Sequence, residues 1–209
     1  MTQKAAIYSV GLPQLRWQSN CKGCTVRRCL DIVIASLGLV FGLPILALLY
    51  LLGLFDTGSP LFFQTRVGQF QRPFKLVKFR TMKPSAASVA THLADPNAVT
   101  KLGTVLRKTK LDELPQLWNV LWGDMSLVGP RPCLFNQTEL IAERAARKVF
   151  DIRPGITGLA QVQGIDMSTP VLLAETDAQL LATLTPSTYL RYILATIFGA
   201  GSGDRLKTK

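Results

Sequence analysis

Residues 111–132 read LDELPQLWNVLWGDMSLVGPRP, and this segment decides how the chain around it is interpreted. Apolar residues recur along it with the spacing of a helix that packs on one face: Leu114, Leu117, Trp118, Leu121 and Trp122. Gly123 is a natural helix end, and Pro115 is tolerated because it falls in the first turn. The segment therefore predicts a helix that begins close to Asp112 and Glu113.

The adjacent carboxylates of Asp112 and Glu113 lie at this predicted helix start. The N-terminus of a helix carries partial positive charge, which keeps carboxylates ionised and attracts phosphate esters. An ionised carboxylate suits a nucleophile or a magnesium ligand. With Arg131 following between two prolines, the arrangement suits phosphate chemistry. The alternative is that Asp112 is only an N-cap before an acidic first turn.

Residues 112–132 resemble the signature of the bacterial sugar transferases, small membrane-associated phosphoglycosyl transferases that begin the assembly of surface polysaccharides and glycoprotein glycans. Two further blocks agree: residues 62–68 (FFQTRVG) running to 78–82 (KFRTM), and residues 153–162 (RPGITGLAQV). The resemblance covers residues 27–177 in the family's order. Its extent outweighs the N-cap interpretation.

The composition favours a basic protein that binds membrane lipid. The 209 residues include 24 Lys and Arg against 13 Asp and Glu, a net charge of +11, yet the mean hydropathy is +0.24. Acidic partners are expected: nucleic acid, anionic headgroups or nucleotide and lipid phosphates. No nucleic-acid-binding motif is present, so we expect membrane lipid and no nucleic acid as partner.

The four cysteines do not predict a metal site. Cys21 and Cys24 have the two-residue gap of metal and redox motifs, but no second pair matches it and His92 is the only histidine. A zinc site would have to recruit the distant Cys133. Reduced thiols are expected in a protein that faces the cytosol.

Residues 32–55 contain no charged side chain. As one straight helix they would extend about 36 Å, more than the roughly 30 Å of the hydrocarbon core. Pro44 lies near the middle and predicts a sharp bend. Each half would then measure about 16 to 18 Å, too short to span. The pattern favours a re-entrant helix, and a true span is the alternative.

Charge supports the re-entrant path, because basic residues lie on both flanks and such residues stay cytoplasmic. They are Lys4, Arg16, Lys22, Arg27 and Arg28 before the segment, and Arg66, Arg72, Lys75, Lys78, Arg80 and Lys83 after it. The family resemblance implies the same re-entrant helix, broken at a proline, on the inner membrane with the catalytic domain cytoplasmic. Some members have a serine where this chain has Leu43. The absence of that serine hydroxyl makes the bend less secure.

The predicted fold is α+β, mostly helical with a small sheet, one re-entrant helix-break-helix and amphipathic interfacial helices. The predicted units are an N-terminal extension (1–22), the membrane helix (23–57), a catalytic domain (58–198) and a disordered basic tail (199–209).

Within the catalytic domain the patterns predict short strands in 60–81, a loop or lid in 83–96 and helices in 100–110, 137–149, 172–184 and 189–198. The polar face of the 137–149 helix holds Glu139, Glu143, Arg144, Arg147 and Lys148. The last two helices lie in the membrane interface, with Tyr189 and Tyr192 at headgroup level, or pack on the core.

The family resemblance implies roles for particular residues. Asp112 is the nucleophile that attacks a UDP-sugar, and the phosphosugar then passes to undecaprenyl phosphate. Glu113 binds Mg²⁺. The implied phosphate-binding or substrate-binding residues are Lys78, Arg80, Arg107, Arg131 and Asp177.

One departure from the family lies in residues 164–170, GIDMSTP, where many relatives have Gly-Arg-Asn followed by a tryptophan. We expect this region to help select the sugar, with an N-acetylated or deoxy-amino hexose favoured. Two other functions fit the composition: a basic membrane scaffold and a nucleic-acid binder recruited by charge. The sequence does not specify the polymer pathway or the oligomeric state.

Overall fold

The computed structural model describes residues 22–86 and 95–199. The N-terminal extension and the basic tail predicted from the sequence therefore lie outside the described residues, apart from Lys22 and Gly199. Residues 87–94, the middle of the predicted loop or lid, lie outside them as well.

The described residues form a mostly helical α+β fold. The helices are α1 (Lys22–Thr57), α2 (Lys101–Thr109), α3 (Gln116–Trp122), α4 (Thr138–Ala146), α5 (Leu159–Gln163), α6 (Pro170–Thr183) and α7 (Pro186–Ile197). The strands are β1 (Leu61–Val67), β2 (Pro73–Phe79), β3 (Ser126–Val128) and β4 (Gly155–Thr157), and short 3₁₀ turns occupy Gln69–Gln71, Pro96–Ala98, Leu111–Glu113 and Val149–Asp151. The predicted α+β class with small sheets is confirmed.

The strands form two small sheets, whereas the sequence predicted one. β1 and β2 make an antiparallel hairpin in which Leu61 pairs with Phe79, as the alternation in 60–81 predicted. β3 and β4 pair in parallel. Each has three residues, which is too short for a period-2 pattern to be recognised. Their backbones meet so closely that a Cβ on Gly155 would lie 2.0 Å from the Gly129 nitrogen.

Helix α1 runs without interruption from Lys22 to Thr57, with Pro44 inside it. Proline removes one backbone hydrogen bond. The helix nevertheless continues past Pro44 and does not divide into two elements. Residues 25–57 are long and apolar enough to cross a membrane, by length and composition alone. The re-entrant path stays a prediction.

Polar contacts fix both ends of α1 to the part of the fold that follows it. Near its start, the Arg28 guanidinium donates to the carbonyl oxygens of Val120 (2.6 Å) and Leu121 (2.9 Å) at the end of α3. Near its end, Asp56 accepts a 2.6 Å hydrogen bond from Thr100, the N-cap residue of α2. The same part of the fold thus binds α1 at two points 28 residues apart.

Asp31 links α1 to β3 and α7. Its Oδ1 accepts hydrogen bonds from the Leu127 amide (2.8 Å), the Ser126 hydroxyl (3.1 Å) and the Tyr189 hydroxyl. Tyr189 is fully buried, so its predicted place at headgroup level was wrong. Burial, and then the neighbouring Asp31 carboxylate, raise the pKa of Tyr189.

The last two helices differ in what they cover. α6 buries Leu173, Ala174 and Leu180, as the core-packing alternative predicted. α7 buries Tyr189 but leaves exposed an apolar row of Leu190, Leu194, Ile197 and Phe198. Contact of these residues with a membrane interface stays a prediction.

Candidate active site

The two carboxylates lie in a 3₁₀ turn, Leu111–Glu113, that directly precedes α3. Lys110 enters the turn in the left-handed conformation, with φ of 58°. The N-cap residues of the turn and of α3 are Lys110 and Pro115, and neither makes a side-chain cap. Asp112 is therefore not the N-cap of either element and lies inside the first turn.

The residues that flank the two carboxylates contact α1. Leu111 packs with Leu46 and Leu49 of α1, in a cluster completed by Phe79 and Leu106 among others. A Cβ on Gly38 of α1 would lie 3.0 Å from a side-chain methyl of Leu117. The apolar residues on either side of the carboxylates thus pack on a cluster shared with α1 and on α1 itself.

Asp112 and Glu113 differ in exposure. Asp112 is only 2% exposed. The Glu113 side chain is 11% exposed, and its Oε1 accepts a 2.8 Å hydrogen bond from Nη2 of Arg131. Arg131, at 28%, is the more open partner. The structure thus joins Glu113, one of the two helix-start carboxylates, to the arginine between prolines.

The loop that carries Arg131 is fixed through its carbonyl groups. The Gly155 amide donates to the Pro130 oxygen (2.9 Å), Nη1 of Arg144 to the Arg131 oxygen (2.8 Å) and Nη1 of Arg66 to the Pro132 oxygen (3.1 Å). Proline has no N–H to donate, so at 130 and 132 the carbonyl is the only backbone group available. Both arginines are buried.

The predicted phosphate-binding cations lie on different elements. Arg107, in the last turn of α2, donates from Nε to the Thr81 hydroxyl (2.9 Å). Lys78 of β2 and Arg80, which directly follows that strand, both lie over the ring of Phe62, at 5.8 and 5.4 Å from its centroid. Both α2 and β2 contact the 111–113 turn.

Arg80 also contacts the backbone at the start of β1. Its Nε donates to the Ser59 carbonyl oxygen at 2.9 Å. This contact and the ring of Phe62 hold its guanidinium at the hairpin. The phosphate role of Arg80 stays a prediction that would require it to exchange these partners.

Asp177 lies in the interior, on α6. Its side chain is 0% exposed, and its Oδ2 accepts hydrogen bonds from Nε (2.9 Å) and Nη2 (2.7 Å) of Arg144. Burial raises the pKa of the Asp177 carboxyl, and the Arg144 charge opposes that rise. In the structure the Asp177 carboxylate binds Arg144, and its predicted contact with substrate stays a prediction.

Sequence reasoning missed three polar residues that hold the site together. Arg144 was assigned to the polar face of its helix but is 1% exposed. Arg66 was noted only as a flanking charge. Asn119 is buried in α3, where its side chain accepts from the Val77 amide (3.1 Å) and donates to the Lys75 carbonyl oxygen (2.8 Å). It fixes α3 to β2, the strand that carries Lys78.

The carboxylates fit a magnesium ion that substrate helps to hold. Within residues 22–86 and 95–199, no cluster of three or more His, Cys, Asp or Glu side chains could hold a metal by itself. Mg²⁺ is usually bound by one or two carboxylates together with substrate phosphates and water, so it needs no such cluster. Glu113 has one oxygen on Arg131 and a second with which to bind a cation.

The family of the chain is shown by its similarity to known proteins. The family model described as "Bacterial sugar transferase" matches residues 23–202. The chain belongs to the bacterial sugar transferase family. The match covers α1 as well as every element that carries the candidate site.

Three relatives illustrate the range of this family. The uncharacterized sugar transferase EpsL of Bacillus subtilis is 51% identical over 108 residues, which cover 51% of this chain and 53% of that protein. The UDP-glucose:undecaprenyl-phosphate glucose-1-phosphate transferase of Caulobacter vibrioides is 44% identical over 146 residues, 66% of this sugar transferase and 54% of that protein.

The exopolysaccharide production protein ExoY of Sinorhizobium fredii is 38% identical over 179 residues, 77% of this chain and 79% of ExoY. The chain spans about half the length of EpsL and of the Caulobacter protein. Membership of the family is therefore established, while the activity of this sugar transferase is a matter for proposal.

Proposed function

We propose that this sugar transferase moves a sugar-1-phosphate from a UDP-sugar to undecaprenyl phosphate, and so begins the assembly of a surface polysaccharide or glycoconjugate. The observation that carries the proposal is the Glu113–Arg131 ion pair directly after the buried Asp112, in a turn whose Leu111 packs on a cluster that includes Leu49 of α1. A phosphoryl transfer needs a nucleophile, cations and a metal ligand, and the site supplies all three types of side chain. The Caulobacter relative is named for this reaction with glucose.

The proposed reaction has two steps, and each exchanges one P–O bond for another. In the first, an Asp112 carboxylate oxygen attacks the β-phosphorus of the UDP-sugar, the bond to the bridging oxygen breaks, and UMP leaves. The product is an acyl phosphate that carries the sugar. In the second, a phosphate oxygen of undecaprenyl phosphate attacks the same phosphorus and Asp112 leaves.

The cations have distinct tasks in this proposal. Arg131 offers a planar fork that matches two phosphate oxygens, so it orients the group transferred. Lys78 and Arg107 add positive charge from β2 and α2. Glu113 would hold Mg²⁺, which neutralises phosphate charge when bound. The burial of Asp112 keeps competing water away from the acyl phosphate.

We place the enzyme on the cytoplasmic face of the inner membrane, with α1 re-entrant. If straight, α1 would separate Arg28 from Asp56 by about 42 Å, enough to cross the hydrocarbon core. Yet both ends bind polar groups of one domain. That contact pattern favours two ends on the same side. The exposed Trp118 and Trp122 of α3 suit a headgroup region beside them.

Cysteine labelling in intact cells tests this placement. In a background with the four native cysteines replaced by serine, Ser19→Cys and Gln71→Cys should both be protected from an impermeant thiol reagent and react after the cells are opened. Reaction of one position from outside would establish a true span and exclude the re-entrant path.

Adduct formation at Asp112 tests the reaction itself. Incubation with UDP-sugar and Mg²⁺, but without lipid acceptor, should leave a phosphosugar on the peptide with Asp112 and release about one UMP per active site. Asp112→Asn keeps the side-chain shape but not the nucleophilic charge, so it should bind membranes and form no adduct.

Asp124→Asn is the matched control, because Asp124 is a partly buried carboxylate at the other end of α3. It should form the adduct as wild type does. Turnover by Asp112→Asn at near the wild-type rate would exclude the two-step reaction, and UMP release without an adduct would indicate direct transfer between phosphates. A panel of UDP-sugars in the same assay would test the predicted preference for an N-acetylated or deoxy-amino hexose.

A further inference from the structure

A chain of hydrogen bonds runs from α6 to Glu113. Asp177 accepts two bonds from Arg144, and Nη1 of Arg144 donates to the backbone oxygen of Arg131 (2.8 Å). The Arg131 side chain then donates to Glu113 (2.8 Å). The Arg144 guanidinium therefore binds two groups at once: the buried Asp177 carboxylate and the backbone oxygen of Arg131, the residue that faces the site.

An ordinary stabilising role does not account well for this arrangement. A buried ion pair must recover the large cost of removing both charges from water, and apolar residues of similar size are often as stable. The Arg144–Asp177 pair has side-chain exposures of 1% and 0%, so it carries that cost in full. Pairs of this kind are better explained where they fix a particular geometry.

The geometry fixed here is that of the 130–132 loop. Because Pro130 and Pro132 lack N–H groups, the loop cannot be held by donating from those positions. Hydrogen bonds to its carbonyl oxygens are the available restraint. Arg144 supplies the one on Arg131 itself, and a shift of that carbonyl would displace the Cα from which the Arg131 side chain reaches Glu113.

We propose that Arg144 and Asp177 are positioning residues: the buried pair holds the Arg131 carbonyl and thereby sets the Arg131 guanidinium against Glu113, where phosphate binds. The inference rests on the proposed function for the nature of the ligand at Arg131. It gives Asp177 a task at a distance from the substrate, through Arg144 and the loop.

The test is a mutant cycle between the pair and Arg131. The double variant Arg144→Met/Asp177→Leu replaces the pair with apolar side chains of similar size, so it should fold, but it leaves the Arg131 carbonyl without its guanidinium partner. Losses of about ten- to a hundredfold are typical when supporting hydrogen bonds are removed, and we expect such a loss in kcat with a smaller change in KM.

In an Arg131→Ala background the same replacement should cost little further, less than about threefold, because residues that act as a unit are not additive. Losses that multiply would overturn the inference, since the pair would then act without Arg131. Should the double variant fail to fold, Arg144→Lys replaces it: the ammonium can pair with Asp177 or reach the carbonyl but lacks the fork for both.

Amide hydrogen exchange gives a measurement independent of catalysis. Peptides covering residues 126–136 should exchange faster in the double variant, or in Arg144→Lys, than in wild type, while peptides of β1 and β2 do not change. Arg147→Met is the control at the end of the same helix, because Arg147 is partly exposed and pairs with Glu143 one turn away and with Glu175 at 3.4 Å. It should leave both exchange and kcat as in wild type.

These measurements separate the two proposals. Wild-type protein that forms no adduct and releases no UMP would refute the proposed function, yet faster exchange in 126–136 would still support the positioning link. Unchanged exchange in that segment would overturn the link whatever the enzyme catalyses.

Discussion

Two arginine–carboxylate pairs meet at Arg131, and they differ mainly in exposure. Arg131 and Glu113 have side-chain exposures of 28% and 11%, and one hydrogen bond of 2.8 Å joins them. Arg144 and Asp177 are almost completely buried, and two hydrogen bonds of 2.7 and 2.9 Å join them. The two pairs use the same chemical groups in opposite surroundings.

The difference in exposure separates a pair that can exchange partners from one that cannot. Water and salt weaken an ion pair that is partly exposed, so Arg131 can leave Glu113 for a phosphate at small cost. Separating Arg144 from Asp177 would leave a charge buried without compensation. A site that binds and releases phosphate needs a partly exposed pair where the ligand enters and a buried pair where the loop is anchored.

Removal of one buried partner should have the largest effect. Arg144→Met leaves the Asp177 carboxylate without its guanidinium, which typically costs about 3–5 kcal/mol of unfolding free energy. Urea unfolding of the detergent-purified protein measures it. The control Arg147→Met removes a partly exposed arginine at the end of the same helix and should cost less than about 1 kcal/mol. Equal losses in the two variants would mean that burial does not distinguish these arginines.

Arg131→Lys should affect catalysis more than stability. Lysine keeps the charge but loses the planar fork, and loss of one oriented donor is expected to lower kcat by about ten- to a thousandfold. The urea midpoint should hardly move, because the side chain is partly exposed. Arg72→Lys, at an exposed turn position, serves as the control and should be as active as wild type. A wild-type rate in Arg131→Lys would make Arg131 an ordinary surface charge.

The sequence predicted the exposed Arg131–Glu113 pair better than the buried Arg144–Asp177 pair. The helical spacing after Glu113 and the prolines around Arg131 lie within one segment, so the carboxylates and the arginine could be placed in one site from local patterns. The family resemblance added the roles. The hairpin of β1 and β2 was likewise local, since alternation and the Arg72–Pro73 turn lie within one stretch of chain.

The buried pair depends on a contact between residues that are distant in sequence. Arg144 and Asp177 are 33 positions apart, and charged residues are expected at the surface unless paired. One signal was present: Arg144 follows Leu140 by four residues, so the two share a helix face, and Leu140 is buried. The parallel pairing of β3 with β4 was missed for the same reason, because neither strand is long enough to show a pattern.

Glu113→Gln should have the smallest effect on stability and completes the comparison. The amide still accepts a hydrogen bond from Arg131, so only the charge component of a partly exposed pair is lost, and the unfolding free energy should change by less than about 1 kcal/mol. An amide oxygen is a poorer magnesium ligand than a carboxylate, so adduct formation should require more Mg²⁺ than in wild type. Titration of Mg²⁺ against UMP release measures this shift. An unchanged Mg²⁺ requirement would show that Glu113 is not the metal ligand. A loss of stability as large as that of Arg144→Met would show that the Arg131–Glu113 pair contributes as much to the folded core as the buried Arg144–Asp177 pair.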